Sequence, residues 1–210
     1  MQLIGVLGGT FDPVHNGHLR LAIESQEQIN LAEVRLIPND TPNHRAKANA
    51  DNDTRLSMLA AAVESPRLII DSREIDRPGV SYMVDTLSSL KAEFPDDALC
   101  LIIGIDAYLG LPQWDRWESL FELSHLLVAT RPGVEIAPSA VLESATSARV
   151  VSNSASLLSS PHGQIYFMNI PLLEISASDI RARCRAGLDI SYLVPSSVQH
   201  IIERKRLYIG

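Results

Sequence analysis

Apolar residues in this chain fall into two alternating kinds of run. Short apolar stretches bounded by Gly, Pro, Asn or Asp alternate with longer ones of helical spacing, which predicts βα units wound into a parallel sheet. The strands expected are Gln2–Leu7, Glu33–Pro38, Arg67–Asp71, Ala98–Gly104, His125–Thr130 and Gln164–Asn169. The helices expected are Gly17–Ile29, Asp53–Glu64, Tyr82–Phe94, Ser176–Ala186 and Ser196–Arg204, with a shorter one at Trp117–Leu123. The unbroken apolar string of Ala98–Gly104 suits a central strand covered on both faces. Between Arg131 and Pro161 the periodicity is weak, leaving room for one helix and a short strand, and the Ser-rich piece Ser152–Ser160 reads as a loop. The expected fold is α/β: a Rossmann-like, doubly wound parallel sheet in a single domain, 1–210. Its core spans about 1–175, with a small C-terminal helical portion at about 176–210.

Composition narrows the partners. The chain has 18 Lys and Arg against 25 Asp and Glu, a net charge of −7, so its overall field repels polyanions and no nucleic-acid partner is expected. An anionic small substrate needs local positive groups. The two cysteines, Cys100 and Cys184, form neither a CxxC pair nor a disulfide framework, which favours a reducing, cytoplasmic setting. The first residues, MQLIGVLGG, lack the basic start of an export signal, and no apolar window is long enough to span a bilayer, so no membrane partner is expected. Association into a homo-oligomer stays open.

Chemistry concentrates in GGTFDPVHNGH, Gly8–His18, between the first strand and first helix. Ligands of doubly wound sheets bind beyond the carboxyl ends of the strands, where this loop lies. Gly8 and Gly9 let backbone approach a ligand, the helix start after Gly17 offers unpaired N–H groups, and His15 and His18 can face one bound group. The set suits a nucleotide phosphate, although it is neither a GxGxxG loop nor a glycine-rich loop ending in Lys-Ser or Lys-Thr. Asp12, His15 and His18 also run at D-x-x-H-x-x-H metal spacing, but Asp12 precedes Pro13 and is biased away from helix, which spoils a common ligand face. A second segment, ISASDIRAR, Ile175–Arg183, opens a late helix. Ser176 is its expected N-cap, with Asp179 closing a capping box, and Ser178 and Arg181 are then offered to an anion. An ordinary capped helix with exposed arginines is the other reading. Trp114, beyond an apolar strand, can stack on a flat ring or simply pack as a lid. Asp106 at that strand's end can accept a ribose hydroxyl. His44, Arg45 and Lys47 form a basic loop, either solvated or a cover over a phosphorylated substrate.

His15-Asn16-Gly17-His18 and Ile175-Ser176-Ala177-Ser178-Asp179-Ile180-Arg181 resemble the HxGH and ISxTxIR motifs of a nucleotidyltransferase superfamily, with Ser178 in the usual Thr place. Along nearly its whole length the chain is similar to the bacterial nicotinate-nucleotide adenylyltransferase family, through Ile37–His44, Ser81–Leu87, Ile102–Trp114 and Arg131–Gly133 as well. The resemblance implies adenylyl transfer from ATP to nicotinate mononucleotide, a step of NAD biosynthesis, with Mg²⁺ held mainly through phosphates rather than by protein ligands. It implies His15, His18 and Arg181 as catalytic residues. Gly8, Gly9, Thr10, Phe11, Gly17, Gly104, Asp106, Ser176, Ser178 and Ile180 join them in binding ATP. Asn39, His44, Ser81, Tyr82, Met83, Thr86, Trp114 and Arg131 are implied for the nicotinate nucleotide. The chain departs from the family at Met83, where Thr is usual, and at Asp115, where Tyr is common. Rival readings are a related adenylyltransferase with another acceptor, a nucleotide-sensing module without turnover, and a metal-dependent hydrolase.

Overall fold

The computed structural model describes residues 1–42, 48–77, 79–131, 133, 136–171 and 173–209. The chain opens with β1 (Leu3–Gly9), α1 (Asn16–Ile29), β2 (Glu33–Pro38), β3 (Thr41–Pro42), α2 (Asn52–Ala62), β4 (Leu68–Ile70), α3 (Arg73–Asp76), β5 (Val80–Ser81) and α4 (Met83–Glu93). It continues with β6 (Ala98–Gly104), α5 (Ile105–Leu109), α6 (Leu120–Leu123), β7 (His125–Thr130), α7 (Ala140–Thr146), β8 (Val150–Val151), β9 (Ile165–Asn169), α8 (Ala177–Arg185) and α9 (Ser196–Lys205).

Seven strands form one sheet in the order β4-β2-β1-β6-β7-β9-β8, with every pairing parallel. The chain builds outward from β1 through β2 to β4, then crosses to the other side of β1 and builds outward again from β6. The order reverses between β1 and β6, so a crevice opens there beyond the carboxyl ends of the strands. Gly8, Gly9 and Gly104 end those two strands.

Alternate side chains of each strand fill two cores, one per face. In β6, Leu99, Leu101 and Ile103 meet α4, α5, α6 and α7, whereas Cys100 and Ile102 join the core shared by α1, α2, α8 and α9. Burial on both faces is why this strand reads as an unbroken apolar run. The C-terminal helices complete one layer: Ile180, Val198 and Ile202 are core residues, and Ser197 Oγ donates to the Ala61 carbonyl of α2.

The segment 131–161 holds the expected helix, α7, and the short strand β8, among its described residues. The Ser-rich stretch differs from its loop reading. Ser154–Ser159 forms a 3₁₀ turn, because Asn153 caps it by accepting from the Ala155 N–H and Leu157 is buried beneath it.

Candidate active site

α1 begins with a histidine. His15 takes the extended N-cap conformation, and its Nδ1 accepts from the His18 N–H while His18 Nδ1 accepts from the His15 N–H, at 3.3 Å each. This is a capping box built from two imidazoles, which stack with ring centroids 3.7 Å apart. An accepting Nδ1 carries no proton, so in the neutral rings both protons sit on Nε2, the edge turned away from the cap. Gly17 makes room for the arrangement, since a Cβ there would lie 3.0 Å from His15 Nδ1. Phe11, in the left-handed region at φ 48° and fully buried, sets its ring edge-on to His18 at 4.9 Å. A bulky residue in that conformation is strained, a condition that clusters at functional sites.

Burial lowers the His15 imidazole to about 4 from 6.5. It is therefore neutral at physiological pH and offers a hydrogen-bond donor at Nε2 rather than a charge. The unfolded chain takes up this proton near 6.5 and the folded one only near 4, so acidification through that window favours unfolding. Between pH 7 and 4.5 the wild type is expected to lose about 2 to 3 kcal/mol of stability beyond the loss in His15→Asn, which keeps an N-cap acceptor without titrating. Urea unfolding at the two pH values measures this, and equal losses in both proteins would contradict it.

Asp12 ties four segments together. Its buried carboxylate accepts from the Asn49 and Ala50 N–H groups at 2.7 and 3.1 Å and from the Tyr208 hydroxyl at 2.7 Å, while its carbonyl accepts from Arg181 Nη1 at 2.7 Å. These donors occupy the carboxylate, so the D-x-x-H-x-x-H spacing does not become a shared ligand face. Among the described residues no group of His, Cys, Asp or Glu is arranged to hold a metal ion. The Ser176 hydroxyl accepts from the Asp179 N–H at 3.1 Å and caps α8 as expected, but among the described residues the Asp179 carboxylate does not return the bond that would close a capping box; Arg181 Nη2 reaches Ser178 Oγ at 3.2 Å. The late motif is thus docked against the first loop, with Arg181 half-buried beside it. Ile180 points the other way, into the core.

Across the crevice the Met83 methyl covers Gly8: a Cβ on Gly8 would lie 2.7 Å from Met83 Cε. Tyr82 is the N-cap of α4 but supplies no side-chain cap, and Gly104 likewise leaves the start of α5 uncapped beside Asp106. Both helix starts therefore present N–H groups without a side-chain acceptor, which suits an anion. Tyr82, Met83 and Trp114 pack against one core face. Arg116, also left-handed, pairs with Asp85 at 2.9 Å and with Asp115, and its guanidinium lies 5.7 Å from the Tyr82 ring centre. The Asp115 carboxylate is thereby paired, while staying 38% exposed.

The remaining candidates are spread more widely. Thr86 is fully buried, and its hydroxyl donates to Glu74 at 2.6 Å, so its part is to hold α4 from within. Burial raises the Glu74 carboxyl above the usual carboxylate range, against the opposing pull of Thr86 and Ser81. The Ser81 hydroxyl is buried beside that carboxyl without a hydrogen bond of normal geometry. Arg131 is exposed and paired with Glu174. Asn39 donates its N–H to the Gly9 carbonyl at 3.0 Å, and its side-chain Oδ1 is buried without a hydrogen-bond partner among the described residues. His44, Arg45 and Lys47 lie outside the described residues.

Asp12 as an anchor, Tyr208, Arg116 and the fully buried Arg55, whose guanidinium donates to the Thr10 and Asn39 carbonyls, were not singled out for these roles by sequence reasoning. Only Arg55 carried a signal, for it shares a helical stripe with Met58, Leu59 and Ala62 where an apolar residue is the norm.

The cytidylyltransferase-like family profile matches residues 6–183. The chain is 45% identical to a protein of Methylococcus capsulatus named "Probable nicotinate-nucleotide adenylyltransferase", over 98% of this chain and 99% of that one. It is 44% identical to a protein of the same name from Pseudomonas putida, over 99% and 95% of the two chains. The solved structure of Plasmodium falciparum nicotinic acid mononucleotide adenylyltransferase complexed with NaAD superposes with a TM-score of 0.73 at 20% identity, covering 99% of this chain and 98% of that one. An HxGH loop at the switch point, a late Ser-capped helix docked upon it, and full-length similarity at this level together mean that the chain belongs to the cytidylyltransferase-like family and, within it, to the nicotinate-nucleotide adenylyltransferases.

Proposed function

We propose that this enzyme transfers the adenylyl group of ATP to the 5′-phosphate of nicotinate mononucleotide, releasing pyrophosphate and forming nicotinate adenine dinucleotide for NAD biosynthesis. The observation that carries the reading is the stacked His15–His18 capping box at the switch point, with Arg181 docked against the same loop. Full-length relatives bearing that enzyme's name support it.

A phosphate oxygen of the mononucleotide attacks the α-phosphorus, a new P–O bond forms, and the bond from the α-phosphorus to the α,β-bridging oxygen breaks with its electron pair leaving on pyrophosphate. The nucleophile is already an anion, so no general base is required, and catalysis rests on positioning and charge stabilisation. His15 and His18 direct Nε2–H donors at the α-phosphate, where charge shifts during the transfer. Arg181, with Ser178 and the first turn of α8, receives the β- and γ-phosphates. Gly104 and Asp106 face the adenosine ribose. Tyr82, Met83 and Trp114 line the nicotinate side, where the uncapped start of α4 accepts the ring carboxylate. Mg²⁺ arrives with ATP as part of the substrate, held by phosphate oxygens and water, consistent with an Asp12 carboxylate already filled by N–H and O–H donors. Among the described residues no helix is long and apolar enough to cross a membrane.

Incubating the purified chain with ATP, Mg²⁺ and nicotinate mononucleotide should release pyrophosphate in step with dinucleotide. Pyrophosphate release that is independent of the mononucleotide would point to hydrolysis instead. Arg181→Lys should weaken ATP use and pyrophosphate affinity together by about tenfold or more, because a point charge cannot reproduce the planar fork on phosphate oxygens. Unchanged pyrophosphate affinity in the reverse reaction would remove Arg181 from the leaving-group site.

A further inference from the structure

Arg55 is completely buried, in the inward stripe of α2. Its guanidinium makes three bonds of 2.6 Å: Nη1 to the Thr10 carbonyl, and Nη2 to the Asn39 carbonyl and Asn52 Oδ1. Thr10 belongs to the loop after β1 and Asn39 to the loop after β2, which the proposed reaction assigns to ATP and to the mononucleotide respectively. Asn52, which takes one of the bonds, in turn donates from Nδ2 to Asp40 Oδ1 at 2.6 Å, so the helix start is tied to the second loop twice. The carboxylates of Asp12, Asp40 and Asp51 lie near enough to act on the Arg55 charge, while its Nε has no hydrogen-bond partner among the described residues.

Burying a guanidinium costs free energy that only good pairing offsets, and an apolar side chain could pack the stripe without that cost. What an apolar residue cannot do is hold two carbonyls of different loops on one rigid plane. In a trans peptide the C=O and the following N–H point in opposite directions. With the Thr10 and Asn39 carbonyls turned inward to Arg55, the Phe11 and Asp40 N–H groups face the other way. We propose that Arg55 is a positioning residue that sets the spacing and peptide orientation of the two substrate loops relative to each other, coupling the ATP side of the crevice to the mononucleotide side. The role rests on the adenylyl-transfer reading above.

The test uses the full chain and the variants Arg55→Lys and Asn52→Ala, the second of which disturbs the same plane without leaving a new charge in the interior. KM for each substrate and kcat are measured, and amide hydrogen exchange is followed in the ligand-free proteins. Arg55→Lys should raise KM for both ATP and nicotinate mononucleotide by about tenfold, lower kcat by about tenfold or more, and speed exchange at residues 8–11 and 39–41 while β6 and β7 stay protected. Asn52→Ala should move the same quantities in the same direction by a smaller factor. A fall in kcat and melting temperature with both KM values unchanged, or a rise in KM for one nucleotide alone, would overturn the coupling. If Arg55→Lys does not fold, Asn52→Ala decides, and wild-type KM values with wild-type exchange in it would overturn the proposal. If the wild type itself forms no dinucleotide, the reaction assignment fails. The exchange comparison then judges the strut alone, and unaltered exchange at either loop would sink it.

Discussion

His18→Ala is expected to lower kcat by about 10²- to 10³-fold while the protein remains folded, because the lost Nε2–H donor acts on charge that develops in the transition state. The fold tolerates the change for local reasons. His18 is the third residue of α1, alanine is the strongest helix former, and among the described contacts the change removes the capping-box bond to the His15 N–H and the stack on the His15 ring. That bond is worth about 1 kcal/mol. The Phe11 ring loses an edge contact but keeps its buried seat. Steady-state kinetics with a thermal melt separate the two effects. A variant with wild-type kcat and only a raised KM for ATP would show that His18 binds the ground state and nothing more.

The second large effect concerns the acceptor. Nicotinate mononucleotide carries a ring carboxylate where its nicotinamide relative carries a neutral carboxamide. With Met83 at the position where the family usually has Thr, no side-chain hydroxyl is offered there, and the Met83 methyl instead lies over Gly8. The discrimination falls to backbone. The first turn of α4 has no side-chain cap, so its N–H groups and dipole favour an anion. The competing carboxylates at this mouth, Asp85 and Asp115, are both held by Arg116. A carboxamide presents its own N–H to such donors and leaves them unsatisfied, whereas a carboxylate accepts from all of them. The acid is therefore expected to exceed the amide in kcat/KM by at least about a hundredfold, or about 2.7 kcal/mol. Comparable efficiency on the two would refute the nicotinate preference and leave adenylyl transfer standing.

The major strands were legible because each is an apolar run closed by a breaker, and β2, β6 and β7 keep their expected bounds. The pair β3 and β5 was not, since strands of two residues carry no period. α5 was missed because it continues directly from β6 without a turn signal to mark the change. At the site, Gly8–His18 and Ser176–Arg181 were visible as motifs, and the structure joins them through the Arg181 bond to the Asp12 carbonyl. The mutual capping of His15 and His18 was not, because it depends on an extended backbone at His15 and on the space above Gly17 rather than on residue type. Thr86 shows the converse. It stands in a segment expected to meet ligand, yet helical periodicity turns it inward to Glu74. Arg55 was legible only as an anomaly, a charge in an apolar stripe whose acceptors come from loops distant in sequence.

The most direct test of the central claim follows the label from ATP carrying ³²P at the α-position, with nicotinate mononucleotide as acceptor. The account predicts that the label appears in nicotinate adenine dinucleotide and that pyrophosphate is released unlabelled in equal amount. Label recovered as free AMP, or retained in ATP despite a bound mononucleotide, would contradict it.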